Sequence, residues 1–228
     1  MLSKIEQATN KRSNQRRILE IFVELPAKKL VKWGFTPNIL SFCGFFCSIA
    51  VAILLSLGGL HFPFPIAWIV PFLMFWAGAF DVFDGEIARM TQKISISGAF
   101  LDSNLDRLSD AIIVFGLIIG GYFNYLIGYA ILFLIIMISY IRSRAENEGI
   151  DMKGVGFMER AERLIILWFA FIAEFWIYFL TKLFYGAPFE LFFPIFTIIF
   201  TGLLILTIVQ RLIFSFKELS KIETHDKK

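Results

Sequence analysis

The sequence predicts an all-α integral membrane protein, with six transmembrane helices and an N-terminal amphipathic helix lying in the membrane interface. Three observations predict it. Of 228 residues 57% are hydrophobic and 28 are Phe, and the mean hydropathy is +0.71, more apolar than an ordinary soluble domain. The charges gather in bands, and between them run six apolar tracts at 38–60, 64–83, 98–121, 124–141, 162–181 and 190–213, each near the ~20 residues that cross ~30 Å of hydrocarbon. With six spans both termini share one side with the loops around 84–97 and 142–161, and that side holds all of the 22 Lys and Arg except Lys182. Such an excess marks the cytoplasmic face, so the termini and those loops are expected there, in a cell membrane.

Taken in order, residues 1–34 form a juxtamembrane segment, 35–213 the six-helix domain and 214–228 a charged tail. The first thirty residues are polar and basic without a separate apolar core, which argues against a signal peptide. From Arg16 to Trp33 the stretch RRILEIFVELPAKKLVKW sets Ile18, Leu19, Phe22, Val23, Leu30 and Trp33 against Arg16, Arg17, Lys28, Lys29 and Lys32. That spacing predicts a helix lying in the interface, with a solvated helix packed on the protein as the alternative. Pro26 should kink or break it. Thr36 as cap and Pro37 at the first helical position then start the first span. Cys43 and Cys47, within that span, read as small packing residues rather than metal ligands. Glu174 falls in mid-span, where an ionisable group is costly and needs a partner or a cavity; the sequence names no partner. His61 and His225 stand isolated, exposed by context, and neither reads as ligand or base. The net charge of +3 reflects a positive inner face, and no nucleic-acid motif accompanies it.

Two spans are interrupted by carboxylates. Asp81 and Asp84 are three apart and share a face at the end of the second span. Gly98, Asp102 and Asp106 fall four apart at the start of the third, and Asp110 extends that row by one turn. A short polar linker makes the two helices antiparallel neighbours, so two carboxylate pairs should face each other at one depth. Like charges so placed repel and are costly at a membrane boundary. One or two divalent cations would relieve them, and all-oxygen ligation without His favours Mg2+, Mn2+ or Ca2+ over zinc. Gly85, Ala88, Gly98 and Ala99 keep the adjoining surface small enough for a ligand to approach backbone.

Asp81-x-x-Asp84-Gly85-x-x-Ala88-Arg89, then eight residues, then Gly98-x-x-x-Asp102-x-x-x-Asp106 resembles the signature of the CDP-alcohol phosphotransferases, with every fixed position filled. The resemblance covers roughly residues 35–213, and it implies a six-helix membrane core, a homodimer, and two divalent ions, Mg2+ or Mn2+, held by Asp81, Asp84, Asp102 and Asp106. It further implies that an acceptor alcohol attacks the β-phosphorus of a CDP-linked lipid and CMP leaves, with Asp106 also the base for the acceptor hydroxyl. By the same resemblance Gly85, Ala88, Arg89 and Gly98 line the CDP-lipid, and Pro37 and Asn38 match a Thr-Pro-Asn segment close to the nucleotide. The chemistry suits metals and positioning.

Near the ends of the fourth span and the start of the fifth, SYIRSRAENEG and GFMERAERL set Ser139, Arg142, Arg144, Arg160 and Arg163, a basic cluster fit for an acceptor that carries its own phosphate. The wording is similar to the phosphatidylinositol phosphate synthase branch, which implies that Ser139, Arg142 and Arg160 receive inositol phosphate. The donor lipid would be diacylglycerol-based or archaeol-based. Glycerol phosphate is the alternative acceptor, and plain topology and salt bridges are the alternative use of the arginines. A cation transporter would place its carboxylates nearer the midplane than this motif stands.

Overall fold

The computed structural model describes residues 22–92 and 95–226. Among them the helices are α1 (22–32), α2 (Pro37–Ser56), α3 (Ile69–Met90), α4 (Ile96–Ile119), α5 (Tyr125–Asn147), α6 (Arg160–Tyr185) and α7 (Phe192–Asp226), with two 3-10 turns at Gly59–His61 and Ile66–Trp68 and no strand. Five segments are long and apolar enough to cross a membrane: Pro37–Ser56, Ile66–Met90, Tyr125–Asn147, Arg160–Tyr185 and Phe192–Ile222. The protein is thus an all-helical, multi-pass membrane protein. The expected sixth span, α4, has 24 residues and so a length of about 36 Å, but Asp102, Asp106, Arg107 and Asp110 keep it out of the apolar set. Composition therefore supports five spans among the described residues.

The chain divides into two compact units. The first takes the chain through Phe46 together with Trp76–Asp106. Residues 22–32 stay helical on both sides of Pro26, so of the kink or break expected there the break does not occur. The Glu24–Lys28 ion pair at 3.2 Å spans the proline. The residues before 22 lie outside the described chain. Gly34 ends α1 at φ 82°, where its amide donates to Val31 O at 3.0 Å and that of Phe35 to Leu30 O at 3.1 Å. This paired closure needs the left-handed conformation that glycine adopts at no steric cost. Pro37 then opens α2 at its first position as expected. Ala27, Leu40 and Ile87 are fully buried, with Leu30, Val31, Phe35, Phe80 and Phe83 packed around them. At Gly44 an added Cβ would lie 3.2 Å from Ala77 O, so α2 and α3 run with little side chain between them.

The second unit comprises Cys47–Phe75 and the chain from Arg107 onward. Its core joins Val51, Leu55 and Leu60 to Ile113, Leu117, Ile131, Phe171 and Phe200. In lipid, burying apolar side chains gains little over leaving them among acyl chains, so close van der Waals packing has to hold the helices together. Gly116 and Gly120, four apart, show it: an added Cβ would come within 2.6 Å of Ala52 O at the first and 2.0 Å of Leu55 O at the second. α5 and α7 make the broadest helix pairing of this unit. α7 runs unbroken into the segment expected as a charged tail, through Asp226.

Two sequence expectations change in this unit. His61 is not isolated, because its Nε2 lies 2.7 Å from Oε1 of Glu174 and its ring stacks on Tyr178 with centroids 4.1 Å apart. Glu174, buried in mid-span, thereby has its partner. Neighbouring Tyr122 accepts the amide of Leu60 at 3.0 Å, and burial pushes its phenol above the ordinary tyrosine range. The side chain of His225 lies outside the described residues.

Candidate active site

Within the first unit α3 brings Asp81 and Asp84 to its last turns, and α4 begins just beyond the linker. Ser95 caps α4, its Oγ accepting the Gly98 amide at 3.0 Å, which satisfies one of the free N–H groups of the first turn. That start fixes the phase of α4 and turns Asp102 and Asp106 toward Asp81. One carboxylate oxygen from each of Asp81, Asp102 and Asp106 lies within 4.8 Å of the other two. All three residues are partly buried. Between unit charges at such a separation the repulsion reaches about 3 kcal/mol per pair at the effective dielectric of a protein edge. An all-oxygen donor set of this charge fits a hard divalent cation.

Asp84, expected in the same group, lies outside this close trio. It is 6% exposed and its Oδ2 accepts the Ser41 hydroxyl at 2.7 Å. Ser41 also stands 3.2 Å from Pro37 O one turn earlier. The sequence reading missed Ser41, although a hydroxyl one turn after the helix-starting Pro37 was a usable signal. Asn38 does meet Gly98, where an added Cβ would sit 3.5 Å from Asn38 Oδ1 and 2.9 Å from Ser95 Oγ. A side chain at 98 would therefore fill the place beside Asn38. At Gly85 an added Cβ meets nothing within 4 Å, so the surface there is open, and Ala88 beside it is partly buried. Arg89 is exposed and held by Glu86, at 2.7 Å from Nη2 and 3.2 Å from Nε.

The acceptor residues named from sequence belong to the second unit. Arg142 pairs with Glu146 at 2.8 Å and Arg144 with Glu148 at 2.6 Å, while Ser139 is partly buried. Arg160, at the first position of α6, has its Nε 4.0 Å from Asp110 Oδ1, and Arg163 reaches Asp110 Oδ2 at 2.7 Å. Sequence reasoning missed Arg211, a buried residue of α7 whose Nη1 donates to Ile138 O at 2.7 Å and whose Nε donates to Val155 O at 2.9 Å. Arg142 and Arg163 both lie within electrostatic reach of it. Thr207 and Gln210 on the same face accept the amides of Met158 and Phe157. Together these three residues fasten the loop that delivers Arg160 and Arg163. Buried Arg in an apolar helix was the signal available.

Residues 35–211 match the family described as CDP-alcohol phosphatidyltransferase. The chain is 38% identical over 149 residues to archaetidylinositol phosphate synthase of Pyrococcus horikoshii, covering 65% of this chain and 75% of that one. Its fold is similar to the crystal structure of Mycobacterium tuberculosis phosphatidylinositol phosphate synthase with CDP-DAG bound, at a TM-score of 0.67 and 28% identity over 85% of this chain and 92% of that one. The same mycobacterial protein in complex with manganese and citrate aligns at a TM-score of 0.66 and 28% identity, over 83% of this chain and 87% of that one.

Proposed function

Because this chain belongs to the CDP-alcohol phosphatidyltransferase family, we propose that it transfers the archaetidyl or phosphatidyl group of a CDP-linked lipid to inositol phosphate, releasing CMP. The observation that carries the reading is the grouping of Asp81, Asp102 and Asp106 at three motif positions inside the matched region. The identity to an archaetidylinositol phosphate synthase supports inositol phosphate as acceptor and favours the archaeol-based donor.

Asp81, Asp84, Asp102 and Asp106 would hold two divalent cations, Mg2+ or Mn2+. When bound, these ions neutralise charge on the diphosphate and on the departing CMP. Manganese in the mycobacterial relative supports the assignment. Asn38 and Gly98 stand beside each other, and with Pro37, Gly85, Ala88 and Arg89 they line the nucleotide and its phosphates. Arg89 would exchange Glu86 for phosphate, which its planar fork suits. Asp106 takes the proton of the acceptor hydroxyl as the new oxygen–phosphorus bond forms at the β-phosphorus. The bond from that phosphorus to the bridging oxygen breaks, and the electron pair leaves with CMP. Ser139, Arg142 and Arg160 hold the phosphate of the acceptor.

The same reading places α4 as a sixth span whose charged start lies at the membrane face, with the termini and the aspartates on the cytoplasmic side of the cell membrane. The strongly basic loops on that side support the orientation. Phe22 and Leu25 on α1 and Trp33 just after it are exposed beside exposed Lys28 and Lys29, which suits a helix lying in the interface. The active form would be a homodimer with one site in each protomer.

CMP release in detergent with Mg2+ tests the reading, with CDP-archaeol or CDP-diacylglycerol as donor and each acceptor supplied separately. Release with inositol phosphate alone is expected. Release with glycerol phosphate instead would keep the aspartates and discard the acceptor assignment, and silence with every acceptor from folded, metal-loaded protein would discard the reaction.

A further inference from the structure

Asp110 and Arg163 take no part in the reaction just described, and their contact within the second unit is one-sided. Nη2 of Arg163 donates to Oδ2 of Asp110 at 2.7 Å, and Nη1 stands 3.4 Å from the carbonyl of Met158. The remaining nitrogen, Nε, is buried and has no hydrogen-bond partner among the described residues. The edge formed by Nε and Nη2 of a guanidinium commonly takes both oxygens of a carboxylate, but here only one of the two bonds is made. The second oxygen, Oδ1, faces the Nε of Arg160 across 4.0 Å, a gap too long for a hydrogen bond. The two side chains are 4% and 7% exposed, so bulk water serves neither, and an ionised group short of a partner in such surroundings is costly. Both residues line a cavity of about 10 Å3, whose other walls are Ile113, Val114, Ile135, Leu164 and Leu167.

We propose that this cavity binds one water molecule, which accepts the Nε–H of Arg163 and donates to Oδ1 of Asp110. Size sets the first limit. A buried water needs about 10–15 Å3, so the cavity takes one and has no room for a phosphate, a sugar or an acyl chain. Charge sets the second. A cation would meet the guanidinium and an anion the carboxylate, whereas a neutral molecule that both accepts and donates suits the two together. Two polar partners are the fewest a buried water holds, and ionised partners strengthen each bond. The water thereby completes the pair, which is joined directly through Oδ2 and by a bridge through Oδ1. α4 is then fixed to α6 by directed polar bonds, in a setting where burying apolar side chains gains little. The proposal needs neither the metal ions nor the acceptor alcohol, so it stands apart from the assigned reaction.

The direct test is a crystal structure of the full-length protein at a resolution that shows ordered water. One peak is expected within hydrogen-bonding distance of both Nε of Arg163 and Oδ1 of Asp110. No peak there, with both side chains in clear density, would overturn the proposal. A second test reads the melting temperature in detergent. Val114→Ile extends a wall of the cavity into the place of the water and should lower the melting temperature by about 2–4 °C, the worth of one net hydrogen bond in a chain of this size. With Asp110→Leu and Arg163→Met made together, the cavity is apolar throughout, and Val114→Ile should then raise the melting temperature by filling space. A rise in both backgrounds would mean that the wild-type cavity is dry, and a fall in both would mean simple overpacking; either result counts against the water. The crystal structure needs no variant, so misfolding of the doubly substituted protein leaves the proposal open to refutation.

Discussion

Asp106 and Asp110 are one turn apart in sequence on α4, of the same residue type, and each sits among charges, but the company differs. In the first unit Asp106 joins Asp81 and Asp102, with carboxylate oxygens within 4.8 Å of one another. In the second unit Asp110 has Arg163 at 2.7 Å and Arg160 at 4.0 Å. The first arrangement brings three carboxylates within reach of one another, an oxygen donor set that a hard cation can draw together. The second pairs a buried carboxylate with a buried guanidinium, so that opposite charges are withdrawn from solvent together. A membrane enzyme therefore uses the same residue in two ways, grouped with other carboxylates at one turn and paired with a buried guanidinium at the next.

The largest effects should separate the two groups by what they change. Asp106→Asn removes the base and a ligand together, and kcat should fall about a thousandfold or more with the melting temperature in detergent no lower than wild type. Near-normal turnover would take Asp106 out of the chemistry. Arg163→Leu should do the opposite. It leaves Asp110 buried without its close partner and should cost about 3–5 kcal/mol of stability, read as a large drop in melting temperature. A melting temperature within a degree or two of wild type would mean that Asp110 finds a replacement partner, and the contrast between the units would weaken.

Ser41→Ala addresses the one motif aspartate outside the close trio. The Ser41 hydroxyl holds Asp84 at 2.7 Å, so its removal frees that carboxylate without touching the other three. Partners that orient a ligand are typically worth tenfold or more in metal affinity, and Mn2+ binding by titration calorimetry should weaken by about tenfold. Unchanged affinity would show that the hydrogen bond serves the packing of α2 on α3 and leaves the ligand set alone.

Much of this arrangement was legible because periodicity and membrane length constrain a chain strongly. The four-residue spacing of Gly98, Asp102 and Asp106 gave their common face, and the six apolar tracts gave α2 to α7, five of them apolar enough throughout to count as spans. What escaped reading depended on contacts between distant segments. His61 and Glu174 are 113 residues apart and each looks isolated in its own tract, so no local pattern joins them. Ser41 and Asp84 are 43 apart and Asp110 and Arg163 are 53 apart, and the same holds. The close approach of Gly116 and Gly120 to the carbonyls of Ala52 and Leu55 likewise shows only in the packing. At Pro26 the break does not follow, since a proline costs a hydrogen bond and strain without always ending a helix that neighbours hold in place.

The smallest expected effect is the most direct test of the contrast. In protein stripped of metal with EDTA, Asp102→Asn takes one negative charge from the cluster and should raise the melting temperature, by the equivalent of at most about 1 kcal/mol for groups that remain partly solvated. Adding Mg2+ should reverse the order. The wild type gains stability in proportion to the occupancy of its site, about 2.7 kcal/mol at a hundredfold excess over Kd, and the variant gains less because it has lost a ligand. Crossing of the two melting curves is the expected signature. If Asp102→Asn instead melts lower than wild type with and without Mg2+, the carboxylates already stabilise the metal-free fold, and the first unit would resemble the second after all.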